Sequence, residues 1–203
     1  VQGRYMNTVQ LTLLSLTWSV IAGVLIGVWL GRNRSKWQDY TGMTVAVSGI
    51  SMPAFWIGFM LIMVFAGKYR LLPTTGAGSF KNLILPSITL GVSIAAIIAR
   101  FTRSSVIEVL KEDYVRTARA KGLREKTVSW KQVFRNCMIS VGTVVGLQFG
   151  FLLGGSVVTE TVFAFPGLGS LLIESVNYRD YPAIQSLILI FSLHFVLINL
   201  VVD

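Results

Sequence analysis

Five stretches of this sequence, residues 9–31, 44–67, 83–99, 136–158 and 183–202, contain no Asp, Glu, Lys or Arg. Each approaches the roughly 20 residues that a helix needs to cross a bilayer core about 30 Å thick. A soluble helix of that length would carry a polar stripe, and these do not. The pattern predicts an all-α integral membrane protein with five transmembrane helices in one membrane domain, residues 1–203. Composition agrees. Of the 203 residues 53% are hydrophobic and 13% charged, where soluble domains carry about 25% charged residues.

The net charge of +9 would suit a membrane surface or a nucleic acid. Its placement decides for the membrane, because the charges lie between the apolar runs. Ten Lys or Arg fall in residues 100–135 and three in 32–43, whereas 68–82 holds three and 159–182 only Arg179. The positive-inside rule then makes 32–43, 100–135 and the C-terminus cytoplasmic. An outward N-terminus without a signal peptide predicts a further span upstream of Val1. A single cysteine, Cys137, offers neither an internal disulfide nor a metal-ligand set.

Residues 100–135 are too long for a hairpin and carry helix signals. Glu112 and Asp113 mark a start, Tyr114, Val115 and Ala118 share a face, and Lys121 then Gly122 read as a basic last turn and a glycine cap. This predicts a short amphipathic helix over about 113–121. Trp130, Val133 and Phe134 begin a second helical pattern that runs toward the fourth span. By composition the short helix fits a protein-docking surface and a lipid surface equally well. For docking, Tyr114, Val115 and Ala118 would meet the partner.

At this point the chain resembles a family. Tyr114-Val-Arg-Thr-Ala-Arg-Ala-Lys-Gly-Leu123 is similar to the cytoplasmic-loop motif of binding-protein-dependent ABC importer permeases. That motif is Glu-Ala-Ala, three residues, then Gly. Ser51-Met-Pro-Ala-Phe-Trp-Ile-Gly58, Val145-Gly-Leu-Gln148, Thr161-Val-Phe-Ala-Phe-Pro-Gly-Leu-Gly169 and Arg179-Asp-Tyr-Pro182 resemble the dipeptide, oligopeptide and nickel (glutathione) branch. The departures are that the motif's Glu falls on Arg116 and its first Ala on Thr117, while Ala118 and Gly122 keep the pattern; the family's Leu-Pro pair falls on Phe134 and Arg135.

The resemblance implies a type I importer permease fold, like that of methionine permeases, with the family's first helix absent and a short C-terminal tail missing after Asp203. It implies a bacterial inner-membrane subunit with no catalytic residues and no bound cofactor or metal. Its implied partners are a second, different permease subunit, two cytoplasmic ATPase subunits that use ATP, an extracytoplasmic binding protein and lipid, with no nucleic acid. Tyr114, Val115, Arg116, Thr117, Ala118, Arg119, Ala120, Lys121, Gly122 and Leu123 are then the ATPase-coupling segment.

Other residues leave alternatives open. Gly142, Gly146, Gly150 and Gly154 recur every four residues with Gln148 among them; this face either packs closely against another helix or lines the substrate path. Gly23, Gly27 and Gly31 repeat the spacing in the first run. Phe165, Pro166 and Gly167 lie in an apolar, broken segment that is either an outer gate or an interfacial piece. His194, with Asn199 beyond it, suits a hydrogen-bonded packing role better than a proton relay. A secondary transporter or channel would need intramembrane charge or inverted repeats, and an intramembrane enzyme a catalytic cluster. The spans show neither, and the sequence has no Walker A pattern.

Overall fold

A computed structural model describes residues 2–76 and 78–202, and every regular element in them is helical. The order is α1 (Gln2–Arg32), α2 (Trp37–Ser51), α3 (Ala54–Leu61) continuing as a π-helical segment (Ile62–Lys68), and α4 (Phe80–Val109). Then come α5 (Asp113–Ala120), α6 (Glu125–Thr127), a second π-helical segment (Val128–Phe134), α7 (Arg135–Val162), α8 (Leu168–Asn177) and α9 (Tyr181–Val202). The chain divides into two compact units, one of Val1–Trp18, Met52–Ser93 and Gly146–Asp203, the other of Ser19–Ser51 and Ile94–Val145.

Three of the five apolar runs lie in single helices long and apolar enough to cross a membrane: α1, α4 and α9. The second and fourth reach that length only as bent pairs. The second, expected as one continuous span over 44–67, turns by 101° between α2 and the helix starting at Ala54. Pro53 is the reason. It has no N–H for the ladder and it drives the residue before it out of the helical region; it sits in extended conformation as the N-cap of α3. The third run, expected to be the shortest, belongs to a 30-residue helix that takes in Arg100 and Arg103 and ends at Val109. The segment predicted as loop over 100–135 is thus helical for its first ten residues.

Hydroxyls inside the apolar helices bond back to their own backbone. Thr12 and Ser15 donate to Thr8 O and Leu11 O at 2.9 and 2.7 Å, and Thr89 to Leu85 O at 2.9 Å. That leaves these groups satisfied where no water is present.

In the unit of Ser19–Ser51 and Ile94–Val145, Gly23, Gly27 and Gly31 abut α4. A Cβ on Gly23 would lie 2.8 Å from Ala95 O, one on Gly27 2.5 Å from Thr102 Cβ, and one on Gly31 2.8 Å from Val106 Cγ1. Both residue series rise together, so α1 and α4 run parallel. Arg103 holds the first turn of α2 through a two-pronged bond to Asp39, Nη2 to Oδ2 at 2.7 Å, and Ser35 N donates to the same Oδ2 at 3.1 Å. The core of this unit is Val106, Val115, Val128, Val133 and Cys137, each 2% exposed or less, with Ala118.

In the other unit, α7 and α9 are antiparallel. Gly146 meets Val202, and Gly150 meets Phe195, about two turns earlier on α9. Phe163, Phe165 and Leu168 are buried, and Trp18 Nε1 donates to Ser87 O at 3.0 Å.

Candidate functional site

The short helix α5 follows its sequence signals. Glu112 is its N-cap, in extended conformation, and Asp113 lies in its first turn. Its end is a Schellman motif: Gly122 N donates to Arg119 O at 2.9 Å and Leu123 N to Ala118 O at 3.3 Å, with Gly122 at φ +76°. At that φ a β-carbon is disfavoured by its own backbone, so conformation favours glycine; the space around it is open.

The faces of α5 differ from the expectation. Val115 and Ala118, assigned above to the partner-facing surface, are 0% and 5% exposed and pack on Val106, Val128, Val133 and Cys137 of their own chain. The i, i+3 apolar pair is what binds an isolated two-turn helix to its platform, because so short a helix has little stability alone. The face left open carries Tyr114, Arg116, Thr117, Arg119, Ala120 and Lys121, with Gly122 and Leu123 just after it. Tyr114 Oη accepts from Asn136 Nδ2 at 3.0 Å, which ties its ring to α7. Arg119 pairs with Glu125 at 2.9 Å, whereas Arg116 lies 3.7 Å from Asp113 with both side chains mostly in solvent.

The glycine series of α7 splits. Gly146 and Gly150 receive Val202 and Phe195 from α9, but nothing lies within 4 Å of a β-carbon on Gly142 or Gly154. The four do not form one packed face. Gly150 and Gly154 instead border a groove of about 370 Å³ with Phe191 and Phe195. Gln148 is half-buried and has no hydrogen-bond partner among the described residues. His194 is held on both sides: its Nε2 lies 2.6 Å from Tyr5 Oη and its Nδ1 2.8 Å from Ile190 O. Both ring nitrogens are thus engaged within the chain, which favours the packing role over the proton relay.

Phe165, Pro166 and Gly167 form the turn into α8. Phe165 is 1% exposed, and Pro166 O accepts from Asn7 Nδ2 of α1 at 2.8 Å. The centre of this turn is a residue that sequence reasoning passed over. Glu160, two residues beyond the predicted end of the fourth span and fully buried, accepts from Gly169 N and Ser170 N at 2.7 and 3.0 Å and from Thr8 Oγ1 at 2.7 Å. Thr8 Oγ1 in turn accepts from Leu168 N at 2.8 Å. The carboxyl thus caps the N-terminus of α8, where unpaired N–H groups point. A β-carbon at Gly167 would fall on that carboxyl. A lone acid six residues before a Pro-Gly-x-Gly run was the available signal. Asp39, a lone acid among Arg32, Arg34 and Lys36, was the corresponding signal for the Arg103 bond.

Residues 23–203 match the family described as "Binding-protein-dependent transport system inner membrane component". The chain belongs to this family. It is therefore a multi-pass inner-membrane protein, and the family resemblance seen in residues 114–123 and 161–169 holds. Over all 203 residues it is 56% identical to the glutathione transport system permease protein GsiC of Escherichia coli strain K12, and 54% identical to that of Salmonella choleraesuis strain SC-B67. It spans 66% of the length of each of these relatives. Among solved structures, a chain of the MetNI methionine ABC transporter in an inward-facing conformation superposes with a TM-score of 0.82 at 18% identity, over 98% of this chain and 90% of that one. An amino acid ABC transporter with histidines gives 0.76 at 16% identity, over 98% and 89%. These members share the type I importer permease fold expected above.

Proposed function

We propose that this chain is the permease subunit of an ATP-driven importer for di- or oligopeptides or a related small solute such as glutathione. The observation that carries the reading is the division of α5 into two faces. Val115 and Ala118 fix the helix to its own chain while the opposite face is open, so a push on α5 is a push on α4 and α7. In this reading residues 114–123 seat in a partner ATPase, and ATP is bound and hydrolysed there. A second permease subunit completes the pathway, and an extracytoplasmic binding protein delivers the cargo. The small-solute cargo rests on the 56% identity to the glutathione transport system permease protein of Escherichia coli.

Residues 32–43, 100–135 and the C-terminus face the cytoplasm in this proposal. The parallel α1 and α4 and the antiparallel α7 and α9 support alternate crossings. The groove beside Gly150 and Gly154, with the unpartnered Gln148, is assigned to the substrate path. The turn at Phe165, Pro166 and Gly167 is assigned to the outer gate, with Glu160 as its latch.

The test is uptake and ATPase activity of the reconstituted complex, with and without loaded binding protein, offered glutathione, a dipeptide or nickel. Ala120→Trp, on the open face of α5, should leave the complex inserted but reduce uptake at least tenfold; unchanged uptake would refute docking through this helix. Single cysteines replacing Lys121 and Glu174, in a background with Cys137 replaced, should label from opposite sides of the membrane. Labelling from one side would overturn the orientation.

A further inference from the structure

Where α1 leaves its apolar run, the unit of Ser19–Ser51 and Ile94–Val145 contains a cavity of about 330 Å³. Val28 and Trp29 of α1 and Trp130 and Phe134 of the π-helical segment form apolar walls, and Arg32 and Ser129 lie on the rim. Trp29 and Trp130 are 50% and 62% exposed, unusually open for the largest aromatic side chain. Trp130 and Phe134 hold each other at 5.0 Å between ring centres. Arg32 is the first charge after the uncharged run 9–31, which puts it at the level where hydrocarbon gives way to headgroups. Tryptophan is favoured at that level for its apolar body and polar N–H.

The electrostatics of the rim are one-sided. No carboxyl group lines the cavity. The acids of this unit that make ion pairs among the described residues are engaged elsewhere, Asp39 with Arg103, Glu125 with Arg119 and Asp113 with Arg116. Lys36 donates to Asn33 Oδ1 at 3.0 Å, and Asn33 turns its amide back to Trp29 O. Among the described ion pairs Arg32 takes no part, so its guanidinium is the cation available at this rim. A guanidinium without an ion-pair partner at the mouth of an apolar trough favours a net anionic headgroup over a zwitterionic one, whose ammonium would be repelled by Arg32, Arg34 and Lys36 and would offset the attraction of its phosphate. It suits a chain with a phosphate at one end and no compensating cation.

We propose that this cavity binds an anionic glycerophospholipid, with an acyl chain against Val28, Trp130 and Phe134, its phosphate on Arg32, and the Ser129 hydroxyl as a second donor. The site needs only that the first apolar run lies in the bilayer, and it stands or falls independently of the transport reading.

The test is native mass spectrometry of the assembled, detergent-stripped complex titrated with dioleoyl phosphatidylglycerol or dioleoyl phosphatidylcholine. The glycerol lipid should bind about fivefold more tightly, the scale of one basic residue near an anionic headgroup. Arg32→Gln should abolish that preference, Arg32→Lys should retain most of it, and Arg34→Gln, which removes the same charge outside the cavity, should leave it intact. Brominated phosphatidylglycerol should quench tryptophan fluorescence, with the quenched fraction reduced by Trp130→Phe. Equal affinities for the two lipids would overturn the proposal, as would equal losses from Arg32→Gln and Arg34→Gln. Displacement by excess inorganic phosphate would show a free-anion site instead. Absence of any lipid in the assembled complex would show a protein subunit on the cavity.

Discussion

Two short helices of this chain, α5 and α8, face the same difficulty and meet it by different chemistry. Each is too short to be stable alone and leaves backbone groups open at its ends. α5 is held by apolar burial of Val115 and Ala118 and closed by a glycine at positive φ. α8 is held at its start by the buried carboxyl of Glu160, which accepts two backbone N–H groups and the hydroxyl of Thr8. The first arrangement is local and tolerates change on its outer face. The second joins residues more than 150 positions apart, and each group in it depends on the others. The difference suits the roles proposed for them: a rigid element that receives force, and a latch that opens as one cooperative unit.

The sharpest way to break the comparison is Glu160→Ala. It strands Gly169 N and Ser170 N, at about 1–3 kcal/mol for each unsatisfied group, and leaves the Thr8 hydroxyl with only its longer bond to Arg4 O at 3.3 Å to donate to. The expected outcome is loss of most folded protein from the membrane, read as detergent-solubilised yield and fluorescence-detected size exclusion. Glu160→Gln keeps one accepting oxygen and should fall between. Wild-type yield for Glu160→Ala would mean that the network contributes nothing to the fold.

Next in size is Ala118→Trp against Ala120→Trp. The first drives a large ring into the core of Val106, Val128 and Val133, an overpacking cost of about 1–3 kcal/mol. It should lower the thermal midpoint of the purified subunit. The second lies on the open face and should leave that midpoint unchanged. Equal shifts would show that α5 is not divided into a packed face and a free one.

These two sites also mark how far the sequence could be read. The helix over about 113–121 was legible because its signals are local: acids at the start, apolar residues one turn apart, Lys121 and Gly122 at the end. What was misread is which side of α5 looks outward. Tyr114, Val115 and Ala118 make one apolar face, and a face seeks burial whether the burying surface is a partner or the same chain. The five apolar runs were legible from the lack of charge, but the 101° turn at Pro53 was not, because a proline in lipid can kink, cap or break a helix depending on its neighbours. The spacing of four in α7 was visible, yet only Gly146 and Gly150 find side chains of α9 against them. Periodicity names a face and does not say how much of it the neighbour covers. Glu160 was passed over because its partners at Thr8, Gly169 and Ser170 become neighbours only after folding.

A smaller effect is expected at Gly122. Valine there must adopt the left-handed region, at about 1–2 kcal/mol, though no atom blocks the side chain. Gly122→Val should therefore fray the end of α5 and release Leu123, while Gly122→Asn, which tolerates positive φ, should cost much less. The measurement is the thermal midpoint together with hydrogen exchange at Leu123 N. If valine and asparagine behave alike, the Schellman end does not hold α5.

The smallest expected effect is at Arg116. Its contact with Asp113 is 3.7 Å long, with side chains 73% and 96% exposed, and pairs of this kind contribute little to folding because solvent screens them and long side chains lose freedom in forming them. Arg116→Ala should leave the thermal midpoint within experimental error. A rim charge acts instead on encounter with a partner, changing the association rate and its salt dependence. If the open face of α5 is a docking surface, Arg116→Ala should slow binding of the ATPase subunit about two- to tenfold at low salt, the gap closing as ionic strength rises. Stopped-flow association at several salt concentrations makes the comparison. An unchanged rate at every salt concentration would show that Arg116 contributes to neither the fold nor the encounter, and would confine the proposed docking surface to Tyr114, Thr117, Arg119, Ala120, Lys121 and Leu123.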